Sequence, residues 1–160
     1  MTTSTQPAYV TALQGAYGEP SQNGFGSAVF FEQVKEAGDL EKAALRWYEH
    51  FVGDLWDRYG KEAWMGAWRQ VYARPKTGDT GIVAALRSLE DPQASSSGVM
   101  ILDAVENADA AQKALAAAFD DPTVAQLTVF TVGDGAAMSG LLIAGRRSNA
   151  EATFLIFLLD

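Results

Sequence analysis

Ala125-Gln-Leu-Thr-Val-Phe-Thr-Val-Gly-Asp134, Met138-Ser-Gly-Leu-Leu-Ile-Ala-Gly-Arg-Arg147 and Ala152-Thr-Phe-Leu-Ile-Phe-Leu-Leu-Asp160 are three consecutive runs rich in β-branched, aromatic and aliphatic residues. Each has the length of a strand, and turn-forming residues separate them, so the pattern predicts an antiparallel meander. Side chains alternate across a strand, which sends Phe154, Ile156 and Leu158 to one side and Leu155, Phe157 and Leu159 to the other. Both sides are apolar, so both require cover.

Upstream of the meander, Val99-Met-Ile-Leu-Asp-Ala-Val105 reads as a further strand, followed by a helix capped by Asn107 and built on the alanine-rich stretch 108–119. Strand, helix and strand in that order suggest a βαβ unit with a right-handed crossover. The expected fold is therefore α+β: a helical N-terminal half packed on a mixed, mainly antiparallel four-stranded sheet in the order β-α-β-β-β. Residues 28–160 are read as one domain, with a helical layer over 28–91 and a sheet-forming part over 98–160. A Ser-rich loop, Gln93 to Gly98, separates the two parts.

The helical layer has four predicted segments. Ser27 caps a short helix through Val29, Phe30 and Val34 that ends at Gly38; Asp39 caps a longer one carrying Leu40, Ala44, Trp47, Tyr48, Phe51, Leu55, Trp56 and Tyr59. After Gly60 the periodicity resumes with Trp64, Trp68 and Tyr72, four residues apart on one helix face, until Pro75. Thr80 then caps a short helix through Ile82 and Leu86. Residues 1–27, dominated by Thr, Ser, Gln, Gly and Pro with isolated Tyr9, Tyr17 and Phe25, read as a flexible arm.

Composition narrows the functional classes. The 160 residues are 48% hydrophobic and 20% charged, enough for a real core, and carry a formal charge of −8. Between Ser88 and Asp134 the sole basic residue is Lys113, a balance that disfavours nucleic acid as a partner. No cysteine is present, which removes disulfides, thiolate nucleophiles and cysteine-ligated metals. The opening residues lack the basic and apolar regions of a secretory signal, and no apolar run is long enough for a membrane helix; a cytoplasmic protein is expected.

Chemistry-bearing motifs are sparse. The single histidine, His50, has Asp54 at i+4 and Asp57 at i+7, so a continuous helix would bring all three to one face as a base or a weak metal trio. Gly133-Asp-Gly135 with Gly140 lacks the spacing and the following helix of a dinucleotide fingerprint and fits a β-turn better. Gly140 and Gly145 inside the next run suggest a bulge or a close backbone approach. Ser139 lacks the G-x-S-x-G context of a nucleophile. Arg146-Arg147 is a small basic spot able to hold a carboxylate or phosphate.

No cofactor, metal or catalytic residue is expected. The favoured reading is a non-catalytic cytoplasmic protein-interaction, regulatory or accessory protein whose partner is another protein, a second copy included, contacted through an acidic surface and the aromatic helices. Trp56, Trp64, Trp68, Tyr72 and His50 are the candidate contact residues. One alternative is a sensor domain holding a small apolar ligand between the aromatic helices and the sheet. The other is an enzyme using His50 with Asp54 or Asp57. Neither nucleic acid nor membrane is an expected partner.

Overall fold

A computed structural model describes residues 6–19, 26–74, 81–134 and 138–159. The three C-terminal runs form the expected meander: β3 (Val124–Gly133), β4 (Ser139–Arg147) and β5 (Glu151–Leu159). Two more strands, β1 (Gly26–Gln33) and β2 (Arg69–Ala73), extend it into a five-stranded sheet of order β1-β5-β4-β3-β2, with every neighbouring pair antiparallel. The α+β class holds, with five strands rather than four and no parallel βαβ unit among the described residues.

Three local readings change. Residues 99–105 are not a strand: α6 (Pro92–Asp103) is a helix whose buried residues Ala94, Ser97, Gly98, Ile101 and Leu102 follow helical spacing. Asp91-Pro92, which resembles a stop, is its start. The Asp91 carboxylate accepts the Ala94 N–H at 2.9 Å, and Pro92 fills the first turn, where no N–H is needed. Second, Ser27 opens β1 rather than a helix; Ala28 and Phe30 face one core while Val29 faces the other, so the two-residue alternation is hidden because both sides are apolar. Third, Trp64, Trp68 and Tyr72 do not share a helix face. The helical part ends in α4 (Lys61–Trp64), the chain turns at Gly66, and Tyr72 lies on β2. Gly66 permits the turn, since a Cβ there would lie 3.1 Å from the Asp134 carbonyl oxygen.

The sheet is the middle of three layers. Its Val29, Leu127, Val129, Ile143 and Leu155 face is covered by α1 (Ala8–Tyr17), α5 (Ile82–Arg87), α6 and α7 (Ala108–Phe119). The Phe30, Phe130, Leu142, Phe154 and Ile156 face is covered by α2 (Leu40–Val52), α3 (Asp54–Tyr59) and α4. Each fully buried Leu, Ile or Phe contributes about 1.5–3 kcal/mol of transfer free energy, so these two faces hold the molecule together. The close backbone approach expected at the β4 glycines is present at Gly140, whereas Gly145 is approached by a side chain. A Cβ at Gly140 would fall inside the Phe157 carbonyl, and one at Gly145 would lie 2.7 Å from the Phe119 ring.

Within the stretch read as an arm, α1 is anchored by buried Val10, Leu13 and Tyr17, and the Tyr17 hydroxyl donates to the Ile101 carbonyl at 2.8 Å. The end of α1 also covers the outer edge of β1. Val29 donates its N–H to the Gly18 carbonyl at 3.0 Å, and its own carbonyl accepts from Gln14 Nε2 at 3.2 Å. A side-chain amide thus stands where a sixth strand would pair. Among the described residues no helix is long and apolar enough to cross a membrane.

Candidate functional site

The aromatic candidates divide by burial. Trp64 is fully buried and Trp56 nearly so, with their rings stacked at 6.4 Å, and Trp64 Nε1 donates to the Leu55 carbonyl at 2.9 Å. Trp68, half-buried, stacks on Phe130 at 4.8 Å and donates its N–H to Glu41 at 3.1 Å. Between them Tyr48 is fully buried. It donates to the Trp64 carbonyl at 2.7 Å and accepts the Gly133 N–H at 2.9 Å, and burial pushes its phenol well above the ordinary range. The polar groups of Tyr48, Trp64 and Trp68 find their partners inside the chain. Trp56 and Trp64 are core residues; the large apolar residues that stay exposed among those described are Tyr59 and Val99.

His50 is exposed at the last turn of α2, its ring edge-on to Phe30 at 5.8 Å and to Trp47 at 5.6 Å. The helix does not continue through Asp54 and Asp57. Gly53, with φ of +66°, ends α2 and starts α3, which breaks the shared face that the i+4 and i+7 spacing requires. Among the described residues no group of three or more His, Asp or Glu is placed to hold a metal ion.

The arginine pair is committed to backbone. Arg146 donates to the carbonyls of Val34 and Lys35 at 2.6 and 2.7 Å. Arg147 donates to the Ala117 and Ala118 carbonyls at the end of α7 and lies 3.6 Å above the Tyr9 ring. Arg74 does the same for the Phe119 carbonyl at 2.8 Å and pairs with Asp120 at 2.6 Å. Two guanidinium groups therefore neutralise the negative end of one helix dipole.

What remains as a contact feature is β2. Its ladder with β3 is phased by Ala67 N–H to the Gly133 carbonyl at 3.3 Å and Arg74 N–H to the Leu127 carbonyl at 2.9 Å. Antiparallel alternation from those two bonds turns the N–H and C=O of Gln70 and Ala73 away from β3. The register shift between Gln70 and Tyr72 spaces these outward groups three residues apart instead of two. Among the described residues no neighbour covers this edge, in contrast to β1.

Beside β2 a groove of about 360 Å³ is bounded by Val71, Tyr72, Ala85, Leu89, Glu90 and Asp91. The Tyr72 hydroxyl is buried and has no hydrogen-bond partner among the described residues. Asp91 bonds Arg69 and caps α6; the Ala94 N–H, followed by Arg69, holds its carboxyl below the usual range. Glu90 is exposed. Of the candidate contact residues, Tyr72 alone lies on this groove, on a strand rather than the aromatic helices. Gln70 and Ala73 are hidden in the sequence because β2 is five residues long and sits inside an accidental four-residue aromatic spacing. The usable signal is the Val71-Tyr72 pair between Gly66 and Pro75.

Compared with known proteins, the chain matches no protein-family model, no curated protein and no solved structure.

Proposed function

We propose that this chain is a non-catalytic protein-interaction module of the regulatory or accessory kind, and that it engages its partner by strand addition along β2. One observation carries the reading: the two edges of the sheet are treated differently. The β1 edge is closed by Gly18 and Gln14, whereas β2 presents the outward backbone groups of Gln70 and Ala73 beside a side-chain groove. An exposed edge is a ready template for an extended segment, with main-chain bonds supplying affinity and neighbouring pockets supplying specificity. The shifted register works against indiscriminate pairing, because a regular strand cannot match both outward residues.

Gln70→Pro tests this directly. Its N–H points outward, so proline removes an intermolecular donor without removing a bond to β3. Wild-type and variant proteins are compared by affinity capture from the native host and by light scattering for self-association. The expected result is a partner, or a second copy, held by wild type and lost by the variant, with melting temperature unchanged. Capture and self-association both indifferent to Gln70→Pro would overturn the reading.

A further inference from the structure

We infer that the strand added to β2 is the β2 of a second copy of this chain, run antiparallel about a two-fold axis between Val71 and Tyr72; this rests on the strand-addition reading above. The spacing of the outward groups supplies the first argument. Gln70 and Ala73, both exposed, stand three residues apart, whereas a regular strand offers its hydrogen-bonding residues two apart. An identical strand run the opposite way carries the same three-residue interval. Gln70 then exchanges both backbone bonds with the partner's Ala73, and Ala73 with the partner's Gln70, as a two-fold axis requires.

The side-chain pattern agrees. Gln70 and Ala73 lie opposite Phe130 and Thr128, on the sheet face toward α2. Val71 and Tyr72 pack on the other face, and Arg69 and Arg74 reach Asp91 and Asp120 on that same side. From Arg69 to Arg74 the order of faces therefore reads the same in both directions. A reversed copy keeps each face continuous and sets Val71 beside the partner's Tyr72. At either end of the pairing Arg69 comes beside the partner's Arg74. Each guanidinium already holds a carboxylate of its own chain, so these ends meet as ion pairs and not as bare cations.

Single cysteines test the register, because the native chain has none. Opposite residues of a hydrogen-bonded pair have Cα atoms about 5.5 Å apart, within disulfide reach, whereas Gln70 and the partner's Gln70 are not opposite. Full-length Gln70→Cys and Ala73→Cys chains are oxidised separately and as a mixture. Wild type is followed by sedimentation velocity from about 1 µM to 1 mM, in about 0.15 M salt, which screens the charge of −8 on each copy. Expected is a monomer–dimer equilibrium that Gln70→Pro abolishes, with the mixed cysteine chains coupling ~10-fold faster than either alone. A wild type monomeric throughout, or mixed cysteines that couple no faster than separate ones, overturns the second copy. Strand addition then stands if Gln70→Pro loses a protein that wild type captures from the native host, and falls as well if capture is indifferent. The wild-type sedimentation needs no variant, and unchanged melting temperatures verify that both cysteine chains keep the fold.

Discussion

At the scale of single residues, Gly140 and Tyr48 show how little freedom the interior has. Replacing Gly140 by alanine drives a methyl into the Phe157 carbonyl across the β4–β5 ladder. The expected cost is about 3 kcal/mol, read as a lowered denaturant midpoint, while the same change at Gly38, where a Cβ meets nothing within 4 Å, should be nearly neutral. Tyr48 makes a pH prediction. Its phenol, and that of Tyr17, is raised above the ordinary value of 10.0 mainly by burial, so the folded state favours the neutral form. Their contribution is complete below that value and is lost as pH rises through the higher folded pKa. Absorbance at 295 nm should show these two tyrosines ionising late and together with loss of the fold; gradual ionisation near the ordinary tyrosine value would contradict their burial. The glycines of β4 are legible as close approaches because a glycine inside an apolar strand forfeits packing surface, and a neighbour moving in to the backbone offsets that loss. Tyr48 is legible merely as part of a stripe, since nothing local distinguishes a phenol bonded to Gly133, 85 positions along the chain, from one at a surface.

At the scale of elements, α6 shows how one signal can carry two meanings. Asp91-Pro92 reads as the end of one helix because acids and proline often terminate helices, yet the same pair caps the next one. Ser97 and Gly98 have the composition of a loop, although their small size is what lets α6 approach α5: a Cβ at Gly98 would lie 3.1 Å from the Leu86 carbonyl oxygen. Asp91→Ala should cost about 1 kcal/mol in chemical denaturation. Because the Asp91 carboxyl is held below its ordinary value of 3.8, its stabilisation is present above that pH and disappears as pH falls through the folded pKa. Asp91→Asn keeps a capping acceptor without the titration, so it should flatten the acid limb of the stability curve, measured by denaturation from about pH 5 downward. The meander itself is readable because its three strands are long and its turns carry turn residues. The short edge strands are not, since β2 gains its conformation from pairing with β3 more than from its own five residues.

At the scale of the whole molecule, the plan is a sheet buried on both faces with one edge closed and the other uncovered among the described residues. Deleting residues 1–18 removes α1, uncovers Val29 on the β1 edge and strips Val10, Leu13 and Tyr17 from the core. The truncated chain should lose several °C of thermal stability and self-associate at micromolar concentration, as gel filtration with light scattering would show. A monodisperse truncated monomer would mean that α1 does not guard that edge. The three-layer plan is foreseeable from a meander that is apolar on both sides. The contrast between edges is not, because edge identity depends on strand order, and strand order is a long-range property that no local window carries.

That strand order also has a consequence for synthesis. The partner of β1 is β5, the last of the five to be translated, and β5 alone joins β1 to the rest of the sheet. On the ribosome, α1 and β1 emerge early, and Val29 can bond Gly18 and Gln14 at once, whereas Phe30 waits for Phe154 of β5. Such long-range closure slows folding and lengthens the interval in which the apolar face of β1 is exposed.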